Sequence, residues 1–177
     1  SKMIANVNKV GYSDEQFKNM IETNTYDNLT LEEMMYAVGL IGDVDKKLEV
    51  YKKAAEKFND IRAYNNIAYI YLTKKDIANA KATLEKVASS QEPSIVNNRG
   101  CVALMEGDVD GAEKLFAAAT NAGPDVKYNL GIIAIIKNQY PAAVEYLGGT
   151  DSFNQGLSLL LTNKLDAAKN TFTKVET

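Results

Sequence analysis

Tyr64-Asn65-Asn66-Ile67-Ala68-x-x-Tyr71, followed after a turn at Lys75-Asp76 by Ile77-x-x-Ala80-x-x-x-Leu84, is the stretch on which the fold turns. Its small and apolar residues recur three and four apart on both sides of the turn, the spacing of two amphipathic helices. The frame returns 32 residues later as Asn98-Arg99-Gly100-x-x-Ala103, Gly107-Asp108-Val109-x-x-Ala112-x-x-x-Phe116 and a closing Pro124. It returns again as Asn129-Leu130-Gly131-x-x-Ala134 with Tyr140-x-x-Ala143-x-x-x-Leu147, and as Asn154-Gln155-Gly156-x-x-Leu159 with Leu165-x-x-Ala168-x-x-x-Phe172. Repetition at this period marks stacked supersecondary units, none of which can bury its apolar face alone.

A fifth, weaker unit lies upstream, where Gly-Asp-Val-Asp at 42–45 reappears at 107–110. The match places Met34 and Met35 in its first helix and Tyr51 and Ala54 in its second. Lys47 stands where a small residue is expected, so close helix packing is in question there. Gly42 and Gly107 are predicted to end helices in the left-handed conformation, with Asp43 and Asp108 capping the next ones. Pro141 suits the first turn of a helix, and Ser13-Asp14-Glu15-Gln16 reads as a capping box opening an amphipathic helix over Phe17, Met20 and Ile21.

These residues resemble the tetratricopeptide repeat family over about residues 28–177. The family pairs a small residue in the first helix (Ala68, Gly100, Gly131, Gly156) with Ala in the second (Ala80, Ala112, Ala143, Ala168). The resemblance implies an all-α fold, a right-handed superhelical solenoid of antiparallel helix pairs, with about five pairs and an N-terminal helix. The expected layout is a helical cap over 1–27 and repeats over 28–60, 61–92, 93–123, 124–148 and 149–177. Successive small residues of the first helices are 33, 32, 31 and then 25 apart. The last interval is short by about two helical turns, so the second helix after Pro141 is expected to stop near Leu147. Either a ligand notch or simple drift of the repeat accounts for that interval.

Composition sets outer limits. Apolar residues make up 46% and charged residues 24% of the 177, the balance of a chain with a packed core. The net charge of −3 comes without clustered cations, which argues against nucleic acid as a partner. Histidine is absent and Cys101 is the single cysteine, so no metal site, cofactor or catalytic apparatus is expected. Calcium at the Asp43/Asp45 and Asp108/Asp110 pairs is disfavoured for want of six or more oxygen ligands. No apolar run approaches the roughly 18 residues of a membrane span. No signal peptide is visible, and Ser1-Lys2 reads as the start of a shortened chain, which leaves an exported parent protein open.

In the family, one stripe of each first helix faces a concave groove. Here the resemblance assigns to it Tyr36 and Leu40; Asn65, Tyr69 and Thr73; Asn97, Cys101 and Met105; Tyr128, Ile132 and Ile136; Phe153, Leu157 and Leu161. The Lys and Arg of the family's carboxylate clamp are missing from these places, so an acidic chaperone tail fits poorly. Asn66, Asn98, Asn129 and Asn154 hold the family's consensus Asn position and are expected to serve architecture, whereas Asn65 and Asn97 are expected to meet a peptide backbone. The function implied is a non-catalytic scaffold that holds a partner protein or peptide. The alternative is a structural, self-associating module, a homodimer included, whose apolar residues Ile132, Ile135, Ile136, Leu157, Leu160 and Leu161 are covered by further repeats or a second chain. The stretch from Lys127 to Asn154 is also similar to repeat segments of Bacteroidetes cell-envelope proteins, which implies an envelope location.

Overall fold

The computed structural model of the chain describes residues 11–175, so the Ser1-Lys2 start lies outside the described residues. Eleven α-helices, and no strand among the described residues, follow in order: α1 (Asp14–Glu22), α2 (Leu31–Gly39), α3 (Val44–Phe58), α4 (Ile61–Thr73), α5 (Ile77–Glu85), α6 (Pro93–Met105), α7 (Val109–Ala118), α8 (Pro124–Ile136), α9 (Tyr140–Leu147), α10 (Phe153–Leu161) and α11 (Leu165–Val175). They form two compact units, one up to Ile70 and one from Tyr71 onward.

In the first unit, Ser13 and Thr30 each accept a bond from the amide three residues on, and Gln16 and Glu33 return one to the cap, completing two capping boxes. α1 buries Phe17 and Ile21, and Met34, Ala37 and Val38 of α2 are buried like Val50, Ala54 and Ala55 of α3. The helix pair packs despite Lys47, with Ala54 and Ala55 buried about two turns further along. Arg62 donates to Glu32 at 2.7 Å and to Asp60 at 2.9 Å, tying the start of α4 to that of α2. Hydrogen bonds from its guanidinium are the main cause that lowers both carboxyls from their ordinary values, with its charge adding to the effect.

The second unit repeats one packing device. A Cβ on Gly100 would lie 2.5 Å from a ring carbon of Phe116, one on Gly131 2.5 Å from Cγ of Leu147, and one on Gly156 2.5 Å from a ring carbon of Phe172. Each pair brings two antiparallel helices together where one side chain is absent and fills the space with the large residue opposite. Phe116 and Leu147 are fully buried.

The turns inside the helix pairs repeat as closely. Lys75, Gly107, Asn138 and Asn163 hold equivalent positions and all have positive φ, from 58° to 87°. The following amide in each case donates five residues back, Asp76 to Tyr71, Asp108 to Ala103, Gln139 to Ala134 and Lys164 to Leu159, at 2.8 to 2.9 Å. Those bonds satisfy helix carbonyls that would otherwise lack partners. Gly42 departs from expectation, since its φ is not positive; α2 ends earlier, at Gly39, with Leu40 as a right-handed C-cap. Asp43 and Asp108 cap as predicted, accepting from Lys46 N at 2.8 Å and Gly111 N at 2.9 Å.

The short interval before Gly156 has a fuller origin than a truncated second helix. α9 does stop at Leu147, but α10 starts three residues before Gly156 whereas α8 starts seven before Gly131. Most of the missing length is therefore the first turn of α10, and Phe153 stands at the beginning of its helix.

Ion pairs also recur at equivalent places, with their signs exchanged. Lys81 of the second helix α5 meets Glu106 after α6 at 2.8 Å. At the next junction Glu113 of α7 meets Lys137 after α8, and Lys137 lies 2.7 Å from Asp110 as well. Bonds from Lys137 lower the Asp110 carboxyl and, in return, raise the Lys137 ammonium. At the third junction the corresponding residues, Val144 and Thr162, are uncharged, so only an exchange between the first two junctions would oppose like charges.

Candidate functional site

Residues four apart share a helix face, and three first helices of the second unit present such faces in sequence. Asn97, Cys101 and Met105 come from α6, Tyr128, Ile132 and Ile136 from α8, and Phe153, Leu157 and Leu161 from α10. They make a polar-aromatic row (97, 128, 153), a half-buried middle row (101, 132, 157) and an apolar outer row (105, 136, 161). Met105, Ile136 and Leu161 are 44%, 48% and 43% exposed. Exposure at this position is thus the same in the interior of the array and in its last pair.

The neighbouring register behaves differently. Leu104 and Ile135 are half-buried, whereas their equivalent Leu160 is 46% exposed; Val109 and Tyr140 are half-buried and their equivalent Leu165 is 58% exposed. Leu104 packs on the core that includes Val126 and Ile133 of α8, and Ile135 on Ala143 and Leu147 of its own pair. Of the six apolar residues grouped in the sequence, Ile132, Ile135 and Leu157 are half-buried and Ile136, Leu160 and Leu161 exposed.

Hydrogen bonds link the first helices across this face. Asn129 Nδ2 donates to Asn97 Oδ1 at 3.0 Å and lies 3.6 Å from Cys101 Sγ. Asn154 Nδ2 donates to the Tyr128 hydroxyl at 2.8 Å. Two of the four consensus asparagines, Asn129 and Asn154, thus reach back to the polar row of the preceding first helix. The Asn97 carbonyl takes the Asn129 bond with one of its two lone pairs. The signal for Asn129 and Asn154 was in the sequence, each standing next to a member of the polar row, but the cross-helix bond is not visible from periodicity.

In the first unit, Tyr36 is engaged by α1, its hydroxyl donating to Asp14 at 2.7 Å and its ring lying 5.6 Å from that of Phe17. The bond to Asp14 raises the Tyr36 phenol above its ordinary value. Leu40 is half-buried. Tyr69 is exposed, and Asn65 has a partner of its own. Thr73, at the end of α4, is exposed and belongs to the second unit.

Burial raises the Cys101 thiol above its usual value, the Asn129 bond partly offsets this, and the negative charge of Asp125 adds to the rise; a protonated thiol is a poor nucleophile. Among the described residues no group of three His, Cys, Asp or Glu is placed to hold a metal ion, and no helix is long and apolar enough to cross a membrane. An open cleft of about 200 Å³ between α5 and α6 has Arg99 in its wall, but that guanidinium donates to the carbonyls of Val87 and Ser90 at the end of α5.

Comparison with known proteins agrees with this geometry. The tetratricopeptide repeat family model matches residues 61–94, which span α4 and α5. One tetratricopeptide repeat is thereby recognised over α4 and α5. Over 120 residues it is 29% identical to BBSome complex member BBS4 of Xenopus tropicalis, covering 66% of this chain and 23% of that protein. The chain thus spans about a quarter of the length of this curated relative. Its fold is similar to that in the crystal structure of the APC/C hetero-tetramer Cut9-Hcn1, with a TM-score of 0.75, 18% identity, and coverage of 90% of this chain and 35% of the other. It is also similar to YrrB, described as a tetratricopeptide protein with an unusual peptide-binding site, with a TM-score of 0.55, 19% identity, and coverage of 92% and 91%.

Proposed function

We propose that the repeats form a non-catalytic scaffold that binds a segment of a partner protein on the face made by α6, α8 and α10. The observation that carries this reading is the constant exposure of Met105, Ile136 and Leu161 at one repeat position. An apolar residue kept half in water in three successive helix pairs is not explained by packing within its pair, and contiguous exposed apolar surface marks an interaction site. The peptide-binding site of YrrB and the two complexes named above are consistent with it.

The test is selection of a random library of short linear peptides on the isotopically labelled chain, followed by mapping of the bound peptide by amide chemical shifts. Shifts concentrated at 97–105, 128–136 and 153–161 are expected. Shifts confined to α7 and α9, or no peptide recovered, would overturn the reading.

The extra exposure of Leu160 and Leu165 favours a second reading beside the first: this end of the unit is a self-association surface. Light scattering would then give a dimer for the parent and a monomer for Leu160→Lys with Leu165→Lys, whereas a monomeric parent would exclude it.

A further inference from the structure

We infer that the outer side of the last pair, α10 and α11, is a socket for an amphipathic helix of a partner protein, and that Lys169 makes it selective for a helix ending in Glu or Asp. The socket is a different surface from the peptide face, so the inference does not depend on that reading. It competes with self-association for the same end of the unit.

After the pair α6 and α7, the equivalent surface is filled. Phe116 and Ala119 are fully buried in one cluster with Val126 and Ile133 of α8, and Leu104 and Val109 pack against that cluster. The residues that repeat these positions in the last pair are Phe172, Val175, Leu160 and Leu165. Phe172 is half-buried and the other three are exposed. What α8 supplies is two β-branched residues seven apart, on one stripe of a helix. A helix with apolar residues at that spacing would restore the missing side of the core.

Charge decides which helix fits. Lys81 of α5 pairs with Glu106, four residues after Val102, and Glu113 of α7 pairs with Lys137, four residues after Ile133. Lys169 repeats the position of Lys81 and Glu113 on α11, is exposed, and forms no ion pair with another described residue. The same geometry places an acid opposite it, four residues after the second apolar anchor, and a lysine there would meet like charge. Among the first helices, α6 alone has this pattern, as Ile95, Val102 and Glu106. Ile95 and Val102 are buried within their own array, as are Val126, Ile133 and Ser158, their counterparts in α8 and α10. A second copy therefore has no such helix free. Pairing two α11 helices about a two-fold axis would also set Lys169 near its own copy, because it lies close to the middle of the helix. The occupant is a helix of another protein.

The probes are two labelled peptides with the sequence of residues 93–107, one unchanged and one with Glu106→Lys. Both are stapled on the side away from Ile95 and Val102, because so short a helix is mostly unfolded in water. In anisotropy titrations the unchanged peptide is expected to bind the parent about fivefold more tightly than the lysine peptide. Lys169→Arg should keep that preference, Lys169→Glu should reverse it, and high salt should shrink it. Leu160→Lys with Leu165→Lys, which alters exposed side chains alone, should abolish binding of both peptides, and Ile136→Lys on the peptide face should change neither. Equal affinity of the parent for the two peptides, no binding of either, or a preference unmoved by Lys169→Glu would overturn the inference. Binding lost in Ile136→Lys and kept in the double leucine variant would put the helix on the peptide face and overturn it as well. So would a dimeric parent that the leucine changes make monomeric, which gives the socket to a second copy, or loss of binding in a longer form of the chain, which gives it to a following helix.

Discussion

Leucine at position 131 is expected to lower the stability of the chain by about 3 kcal/mol, although it removes a helix-interior glycine. On propensity alone, replacing Gly by Leu in the middle of α8 should gain somewhat under 1 kcal/mol. The opposing effect is larger, because even the first added carbon would lie 2.5 Å from Leu147 Cγ and 2.6 Å from Cδ2. Leu147 is fully buried and cannot swing away, so α8 and α9 must separate and lose the contacts that join the pair. Leu147→Ala alone is expected to cost roughly 2–5 kcal/mol through the cavity it leaves. Combining the two moves the bulk from one helix to the other, and the double variant should recover at least about 1 kcal/mol of the summed losses. Denaturant melts of the four proteins measure this coupling; a Gly131→Leu variant that melts like the parent would remove the close approach from the account.

That close approach is the part of the fold most legible in the sequence. Gly100, Gly131 and Gly156 each precede a large residue, Phe116, Leu147 or Phe172, by the same interval, and the interval survives even where the distance between units shrinks. A steric requirement between two helices of one pair fixes it, and sequence records such requirements directly. Turn geometry was less legible for a related reason. A positive φ recurs at 75, 107, 138 and 163, but the residues there are Lys, Gly, Asn and Asn. The six-to-one bonds of the turn can hold a residue other than glycine in that conformation, so glycine alone was a poor guide. Gly42, which matched Gly107 in its surrounding tetrapeptide, does not adopt it.

The candidate face was legible as a set of positions and illegible as chemistry. Counting fours along each first helix places Cys101, Ile132 and Leu157 in one row, but counting cannot say which apolar residues a neighbouring unit covers. Ile135 and Ile136 are adjacent and chemically identical, yet one is half-buried and the other 48% exposed. The difference is seen only by comparing each with its equivalents, Leu104 and Leu160 for the first, Met105 and Leu161 for the second. Likewise, Asn129 and Asn154 follow the repeat as structural residues would. Their reach to Asn97 and Tyr128 depends on the spacing between helices, a quantity the sequence of one helix does not contain.

A single substitution made three residues apart on α8 separates architecture from function. Ile133→Lys is expected to destabilise the chain by about 4 kcal/mol or more, since Ile133 is 1% exposed within the core of Phe116, Ala119 and Val126 and an ammonium there has no partner. Ile136→Lys should leave the melting point within a degree or two of the parent. The residue is half in water at the end of α8, where a cation suits the helix dipole. The expected loss at position 136 is in binding. A peptide recovered on the parent should bind Ile136→Lys on the order of 30-fold more weakly, because an apolar contact at the outer row is replaced by a charge that must be desolvated. Calorimetric melts and titration of the labelled peptide read the two effects separately. Unchanged peptide affinity in a fully folded Ile136→Lys would show that the outer row takes no part in recognition, and would move the search for a partner to the first unit, where Tyr69 is the most exposed aromatic side chain.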